Sequence, residues 1–313
     1  MQVFEKLLCK FAPNAKLLRT WALKGGNSAQ VTALEVMHND GRRQKMVMRL
    51  HGKVDLAHNP NIAAVEFRLL QLLNTAGIAT PAPIYLDTAC DIFPVPCLVI
   101  EFIDGQPEFV PDDVPNHVQK LAVQLANIHQ LDCSATDISF MPQQATSVAA
   151  KLRQRPAVLN ESLHESDIRD ALAAIGSLPP RNAPAILHGD YWPGNVLWQH
   201  RQLVAVIDWE DAEFGDPLAD LANSRLEVLF AFGQAAMQQF TDVYCATSSI
   251  DFTHLPYWDL YAALRPCSEI GNWGLDTDAE NAMREAHHWF IQQAFATLPL
   301  CHFATLHKID IKA

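Results

Sequence analysis

Long apolar runs, paired cysteines and an excess of basic residues are all missing from this sequence. No apolar run approaches the roughly 20 residues needed to cross a bilayer. The seven cysteines are an odd number without a CxxC pair, so neither a zinc site nor a disulfide framework is predicted. This usage is typical of reduced thiols in a cytoplasmic protein. Charged residues between Glu5 and Arg19 argue against a signal peptide.

Basic residues are few, because 23 Lys and Arg face 35 Asp and Glu and the formal net charge is −12. A protein that binds nucleic acids would show a basic field instead. ATP remains possible, since a nucleotide site needs only local cations and backbone N–H groups. An acidic surface can steer a cationic substrate, although solubility explains it equally well. The sequence predicts neither a nucleic-acid partner nor a membrane partner, and it leaves the oligomeric state open.

The N-terminal third reads as a five-stranded antiparallel sheet with one main helix. Turn residues separate the apolar runs, and Asn39 to Gly41 is the strongest hairpin signal. Asn59 and Pro60 open the helix, which Gly77 ends. The predicted strands are 18–23, 29–38, 44–51, 84–87 and 97–103.

After residue 103 the pattern becomes mostly helical. The polar stretch 147–175 is interpreted as helical, short strands are expected near 187–188, 196–198 and 203–207, and only helices are expected from Pro217 onward. The fold class predicted is therefore α+β, with an N-terminal lobe over residues 1–103 and a larger C-terminal lobe over 104–313. Nucleotide binding is assigned to the first lobe and catalysis to the second.

Two segments, HGDYWPGNVLW at 188–198 and IDWEDAEFGDPLADLA at 207–222, carry chemically suggestive residues. Asn195 and Asp208 offer hard oxygen atoms, which suit Mg²⁺. Asp190 can take a proton from a hydroxyl group. Such a set is suited to moving a phosphoryl group from ATP to an alcohol. His188 is expected to hold the loop, while Asp216 and Asp220 are expected to cap a helix and fix the loop.

The two segments resemble the signatures of the aminoglycoside phosphotransferase and choline kinase-like family, whose fold is similar to that of the protein kinases. The resemblance is detailed over about residues 185–222 and looser over 20–105. It implies a bilobal fold, ATP or GTP as donor, Mg²⁺ held by Asn195 and Asp208, and Asp190 as catalytic base. The implied acceptor is a hydroxyl group on a small molecule such as an amino sugar, amino alcohol or sugar.

The resemblance also implies nucleotide-binding residues in the N-terminal lobe. A glycine-rich turn of Gly25, Gly26, Asn27 and Ser28 would cradle phosphates, although a plain hairpin turn is the alternative. No GxxxxGK[ST] motif occurs, so this is not a Walker A site. Arg49 would bind the α- and β-phosphates, with Lys45 as its substitute, and Glu66 would orient that cation. The adenine edge would meet the backbone at Glu101 and Ile103.

Two rival functions remain open at this point. A protein kinase would need an Ala-Pro-Glu-like segment, where this chain has Gly215, Asp216 and Pro217. A pseudo-kinase that binds a nucleotide without turnover would not need Asp190. Carboxylates and one aromatic residue of the second lobe could receive a cationic acceptor, or form a solvated acidic rim. These residues are Glu210, Asp211, Glu213, Glu269, Trp273 and Asp276.

Overall fold

The computed structural model describes residues 2–23, 29–134 and 136–298. Its contacts divide the described chain into two compact units. The sheet unit comprises the residues up to Pro107 together with Asn195–Glu210, and the helical unit comprises Glu108–Gly194 together with the residues from Asp211 onward. The sheet unit is therefore discontinuous in the chain. The functional division into lobes at residue 103 stays a prediction.

Helices and short strands alternate after an N-terminal sheet. Helices α1 to α11 are Gln2–Phe11, Lys53–His58, Ile62–Thr75, Val114–His129, Gln144–Arg153, Glu165–Ile175, Pro217–Phe232, Gln234–Thr247, Leu255–Ala262, Leu264–Glu269 and Thr277–Thr297. Strands β1 to β9 are Lys16–Ala22, Ala29–Met37, Arg43–His51, Pro83–Asp87, Cys97–Glu101, Ala185–Leu187, Val196–Gln199, Gln202–Val206 and Glu213–Gly215. Within these described ranges no helix combines the length and apolarity that crossing a bilayer requires.

The five strands β1 to β5 form one antiparallel sheet in the order β1-β2-β3-β5-β4. Side chains of successive residues point to opposite faces of a strand. On β3, Met46, Met48 and Leu50 join an apolar cluster that includes Leu7 and Leu8 of α1. Burying this face against α1 removes apolar surface from water, at about 25 cal/mol per Å². Arg49 and His51 occupy the alternate positions of the same strand.

The predicted five-stranded sheet is thus present. Each observed strand end lies within two residues of the predicted one. Besides the main helix α3, the sheet unit has α1 and the short α2, which the sequence prediction omitted. Helix α1 is amphipathic, with Phe4, Leu7, Leu8 and Phe11 on one face, and it covers the sheet. A helix of only 10 residues is difficult to predict from sequence, because its stability depends on the surface against which it packs.

The continuous helical interpretation of 147–175 is wrong. The structure has two helices there, α5 and α6, separated by an irregular segment. Pro156 cannot continue a helix, because it lacks an N–H and its ring clashes with the preceding turn. His164 has a φ of 55°, a left-handed conformation that starts α6 on a new axis. From Pro217 onward the described residues are helical, as expected, apart from a 3-10 turn and connecting loops.

Candidate active site

A buried network centred on Arg49 lies in the sheet unit. Its guanidinium group is 3.0 Å from Glu66 of α3, 2.7 Å from Asp208 and 2.8 Å from Glu210. Arg49 is 6% exposed and Glu66 1% exposed. The ion pair expected between Arg49 and Glu66 is therefore present in the structure. Their role in binding phosphates stays a prediction.

Burial and neighbouring charges shift the pKa values of Arg49 and Asp208 in opposite directions. Burial lowers the pKa of Arg49, but Glu66, Asp208 and Glu210 outweigh it and hold that pKa above its ordinary value. Burial raises the pKa of Asp208, which the Arg49 charge opposes. Arg49 Nε is buried without a hydrogen-bond acceptor among the described residues. A buried donor left unpaired is costly, so an additional anionic oxygen here would be stabilising.

Asn195 and Asp208 flank the β7–β8 hairpin of the sheet unit. The backbone carbonyl of Asn195 accepts a hydrogen bond from Ile207 N–H at 2.9 Å, which ties the two ends of the hairpin together. Asp208 has a φ of 68°, a strained conformation for a residue with a side chain. Such strain is found where the surrounding structure fixes a functional geometry. The hairpin thus brings an amide-bearing and a carboxylate-bearing residue to one edge.

The donor set of Asn195 and Asp208 fits Mg²⁺. Magnesium prefers oxygen ligands, keeps several waters, and is commonly bound through one or two carboxylates plus substrate phosphates. No group of three or more His, Cys, Asp or Glu side chains able to hold a metal exists in the described part of the chain. The described residues of this hairpin therefore do not form a complete metal site by themselves. They are compatible with a site in which phosphate oxygens supply further ligands.

The other described residues predicted to bind the nucleotide lie at the end of β5 and on the surface of the sheet unit. Glu101 ends β5, and its N–H donates to Ala82 O at 2.8 Å. The carbonyl of Ile103 accepts from Gly105 N–H at 3.0 Å. Lys45 pairs with Asp104 at the protein surface. The glycine-rich turn of Gly25, Gly26, Asn27 and Ser28 lies outside the described residues.

The loop that bears Asp190 lies in the helical unit and is held by backbone hydrogen bonds. The buried carboxylate of Asp220 accepts from the N–H groups of His188, at 2.6 Å, and Gly189, at 2.8 Å. The N–H of Asp190 donates to His188 Nδ1 at 3.2 Å. The expected roles of His188 and Asp220 in holding this loop agree with these contacts. Asp216 caps α7 by accepting from Leu218 N–H at 3.1 Å, also as expected.

Arg265 of α10 is a site residue that the sequence prediction missed. Its guanidinium group is 2.7 Å from the Asp190 carboxylate. Burial lowers the pKa of Arg265, but Asp190, Glu227 and Asp211 together hold it above its ordinary value. Burial raises the pKa of Glu227 to about 7. Nothing in the local sequence marks Arg265 except a charge among apolar neighbours, so only tertiary contact reveals it.

The residues predicted for a cationic acceptor do not come together. Glu210 belongs to the Arg49 network of the sheet unit, whereas Asp211 and Glu213 line a cavity of the helical unit. Asp276 caps α11 by accepting from Ala279 N–H at 2.8 Å, and Trp273 packs against Phe230. Glu269 is exposed at the end of α10. Four of the six residues therefore have other structural roles or positions, and two line the cavity.

A family model described as the phosphotransferase enzyme family matches residues 22–264. That range spans well over half of the chain and includes Asp190, Asn195 and Asp208. The chain belongs to the phosphotransferase enzyme family. The family membership expected from the two sequence segments is confirmed.

Two curated proteins match this chain at less than 30% sequence identity. Acyl-CoA dehydrogenase family member 11 of Rattus norvegicus is 24% identical over 230 residues, which cover 64% of this chain and 29% of that protein. Viomycin phosphotransferase of Streptomyces vinaceus is 29% identical over 169 residues, or 47% of this chain and 55% of that protein. The chain thus spans less than a third of the first of these relatives.

The fold of this chain is also similar to that of a solved structure. A thermostable mutant of aminoglycoside phosphotransferase APH(4)-Ia, in a ternary complex with AMP-PNP and hygromycin B, superposes with a TM-score of 0.62 at 17% identity. The match covers 93% of this chain and 98% of that one. The expected α+β, protein-kinase-like fold is confirmed by this likeness, and identity this low shows the fold alone.

Proposed function

We propose that this protein transfers the γ-phosphoryl group of ATP to a hydroxyl group of a small molecule, with Mg²⁺ as cofactor. The observation that carries the proposal is the buried Arg49, held by Glu66 beside Asp208 in the unit that also contains Asn195. A fixed guanidinium group next to hard oxygen ligands is suited to a metal-bound polyphosphate. GTP is the alternative donor.

In this proposal the sheet unit binds the nucleotide. Arg49 forms paired hydrogen bonds to phosphate oxygens, and Glu66 fixes its orientation. Asp208, which is bonded to Arg49 in the structure, and Asn195 would hold the metal as its protein ligands. When bound, Mg²⁺ neutralises charge on the phosphate oxygens. Gly25, Gly26, Asn27 and Ser28 are proposed to cover the phosphates through their N–H groups.

The adenine edge is proposed to bind the backbone that follows β5. The N–H and C=O of one strand residue point to the same side of an antiparallel strand. Glu101 N–H bonds to Ala82 O, so the Glu101 carbonyl faces the same neighbour, but Ala82 N–H donates to the Glu101 carboxylate at 3.2 Å instead. That carbonyl and the N–H of Ile103 are therefore the groups proposed to bind the adenine.

Asp190 is proposed to act on the acceptor. Its carboxylate accepts the proton of the hydroxyl group as the hydroxyl oxygen forms a bond to the γ-phosphorus. The bond from that phosphorus to the bridging oxygen breaks, and the electron pair leaves with ADP. Arg265 holds the Asp190 carboxylate in place through an ion pair of 2.7 Å. AMP-PNP and hygromycin B in the structurally similar APH(4)-Ia complex support a nucleotide and a hydroxylated acceptor.

The test is ATP turnover by the wild type and by Asp190→Asn, measured with a coupled ADP assay over a panel of amino sugars, amino alcohols, sugars and hydroxy acids. Loss of the general base is expected to lower kcat by about 10²- to 10⁴-fold. The control is Asp170→Asn, which neutralises an exposed carboxylate paired with Arg155. Its kcat should equal that of the wild type.

Circular dichroism of Asp190→Asn checks that the variant is folded. Equal turnover by the wild type and folded Asp190→Asn with every acceptor would contradict the enzyme function. A pseudo-kinase would bind ATP in both forms and consume it in neither.

A further inference from the structure

The helical unit contains a cavity of about 300 Å³ beside the loop that bears Asp190. Gly189, the neighbour of Asp190, lines it, as does Arg265, which contacts Asp190 directly. Its volume is at the lower end of the range for small-molecule sites. The cavity therefore lies beside the chain neighbour and the ion-pair partner of the candidate base, and it can hold a compact acceptor.

Lys151 of α5 brings an ammonium group to this cavity without an ion-pair partner. Its Nζ lies 5.3 Å from the ring centroid of Tyr261, which also lines the cavity. Within the described part of the chain, no carboxylate oxygen lies within 4.0 Å of that nitrogen. Lys151 is only partly exposed. Because charges withdrawn from water are normally paired, an ammonium group in this position is unusual.

Two arginines oppose the charge of Lys151. Burial lowers the pKa of Lys151, and the charges of Arg265 and Arg169 lower it further. The opposing effect of Asp211 is smaller than that of either arginine. Arg169 is itself paired with Glu165 at 2.8 Å, so that carboxylate is already in use. An anionic group beside Lys151 would relieve this repulsion.

The carboxylates that line the cavity are engaged elsewhere. Asp220 accepts from the N–H groups of His188 and Gly189. Glu213 interacts with the hydroxyl group of Ser147 and, at longer range, with the charge of Lys151, while burial raises its pKa and disfavours its charged form. Asp211 interacts with Arg265. A cationic acceptor would therefore meet Lys151 and Arg265 while finding no uncommitted carboxylate in this lining.

We propose that Lys151 binds a carboxylate or phosphate group of the acceptor, so that the substrate is an anionic alcohol whose hydroxyl group lies at Asp190. This inference deepens the proposed function and rests on it. It replaces the cationic acceptor that the acidic sequence suggested. Tyr261 packs along the Lys151 ammonium group, and Arg265 joins the anion subsite to the candidate base.

The first test measures anion binding without turnover. The lysines are reductively dimethylated with ¹³C, and the Lys151 signal is assigned by its absence from Lys151→Gln. The protein is titrated with sodium acetate, with inorganic phosphate, and with tetramethylammonium chloride as the cation control. The Lys151 signal should shift saturably with acetate and phosphate only, while the exposed Lys53 signal should not saturate.

The second test uses acceptors that share one frame: glucuronate, glucose and glucosamine. Glucuronate should be phosphorylated with the highest kcat/KM of the three. A charge-assisted hydrogen bond contributes about 1.5–3 kcal/mol, so Lys151→Gln should raise KM for glucuronate about 10- to 100-fold and leave glucose unchanged. The control is Arg153→Gln, which removes an exposed positive charge from the same helix.

Each outcome decides one of the two proposals. A Lys151 signal that does not respond to acetate or phosphate, or responds equally to tetramethylammonium chloride, overturns the anion subsite. Faster phosphorylation of glucosamine than of glucuronate overturns it as well. If Lys151 binds anions and no acceptor is phosphorylated, the subsite stands and the proposed phosphotransfer fails. Unfolding of Lys151→Gln is checked by circular dichroism, and Lys151→Arg, which keeps the charge, should retain the acetate response.

Discussion

Gly189 shows how one residue can decide the shape of the candidate catalytic loop. Its φ is 80°, in the left-handed region that favours glycine, and its N–H donates to Asp220. A Cβ at this position would overlap the backbone carbonyl group of Asp211. Backbone atoms cannot move aside as a flexible side chain can. Two independent constraints therefore require glycine directly before the proposed base.

Gly189→Ala should reduce stability and kcat by more than the cost of placing alanine at a positive φ, because the added Cβ would also overlap Asp211. The matched control is Gly77→Ala, because Gly77 has a φ of 78° and an added Cβ there would meet nothing within 4 Å. Gly77→Ala should cost about 1–2 kcal/mol of stability through its backbone conformation. Gly189→Ala should cost more and lower kcat about 10-fold or more, as measured by urea unfolding and ADP release. Equal effects of the two substitutions would contradict this reading of the loop.

Arg49 and Arg265 differ in how far sequence could identify them. The family resemblance predicted Arg49 as the phosphate-binding cation paired with Glu66, and the structure has that ion pair. Arg265 lies 75 residues after Asp190 in the chain, on a short helix without a motif. Its contact with Asp190 depends on how α10 packs, which no local pattern encodes. Lys151 was missed for the same reason.

Helix α7 shows how one capping residue can connect several parts of the helical unit. Asp216 accepts from Leu218 N–H, from Asn182 Nδ2 and from Trp258 Nε1, each at 3.1–3.2 Å. Its negative charge also lies at the helix N-terminus, where it is favourable. Further along α7, Asp220 holds the loop of His188 and Gly189. The start of this helix therefore positions the candidate base.

Asp216→Ala should destabilise the protein more than the loss of an ordinary cap. An N-cap is worth about 1 kcal/mol, and the Trp258 and Asn182 bonds add to that value. The matched control is Asp276→Ala, which removes the exposed cap of α11 and its bond to Ala279. Urea unfolding should give a loss of about 2–3 kcal/mol for Asp216→Ala and about 1 kcal/mol for Asp276→Ala. The reverse order would contradict the connecting role of Asp216.

Elements with strong local signals were the ones that sequence predicted well. The hairpin turn at Asn39 to Gly41, the alternation along β3 and the Pro217 start of α7 all depend on neighbouring residues. The split between α5 and α6 was missed because 147–175 is polar and its break lies in the left-handed His164. Strand β9 has three residues and pairs with β6, 26 residues earlier at the nearest, so its signal is non-local.

At the scale of the whole molecule, buried histidines connect stability to pH. Burial lowers the pKa of His117 and of His287 to about 4, from an ordinary value of 6.5. Both lie in the helical unit, and His287 Nε2 donates to Ala263 O at 2.9 Å. The native state keeps both rings neutral where the unfolded chain would already be protonated. The unfolded state therefore binds more protons between pH 6.5 and 4.

The stability of the protein should fall as the pH drops from about 6.5 to 4, and the contribution of each histidine is fully present above 6.5. One lowered pKa of this size corresponds to about 3 kcal/mol by pH 4. His287→Gln, which can still donate to Ala263, should have a flatter dependence of the unfolding free energy on pH. The exposed His58→Gln is the control and should keep the wild-type slope. An unchanged slope in His287→Gln would contradict this assignment.

The sequence by itself determined the five-stranded sheet, the mostly helical remainder and the family, and it led to the proposal of Asp190, Asn195 and Asp208 as site residues. Turn chemistry, hydrophobic alternation and motif spacing are local properties, so they can be read without coordinates. Only the tertiary structure decided that Arg49 is shared among three carboxylates, that Arg265 holds Asp190, and that Lys151 faces a cavity with no carboxylate of the described residues paired to it. These are contacts between distant segments, and their energies depend on burial and on the field of neighbouring charges.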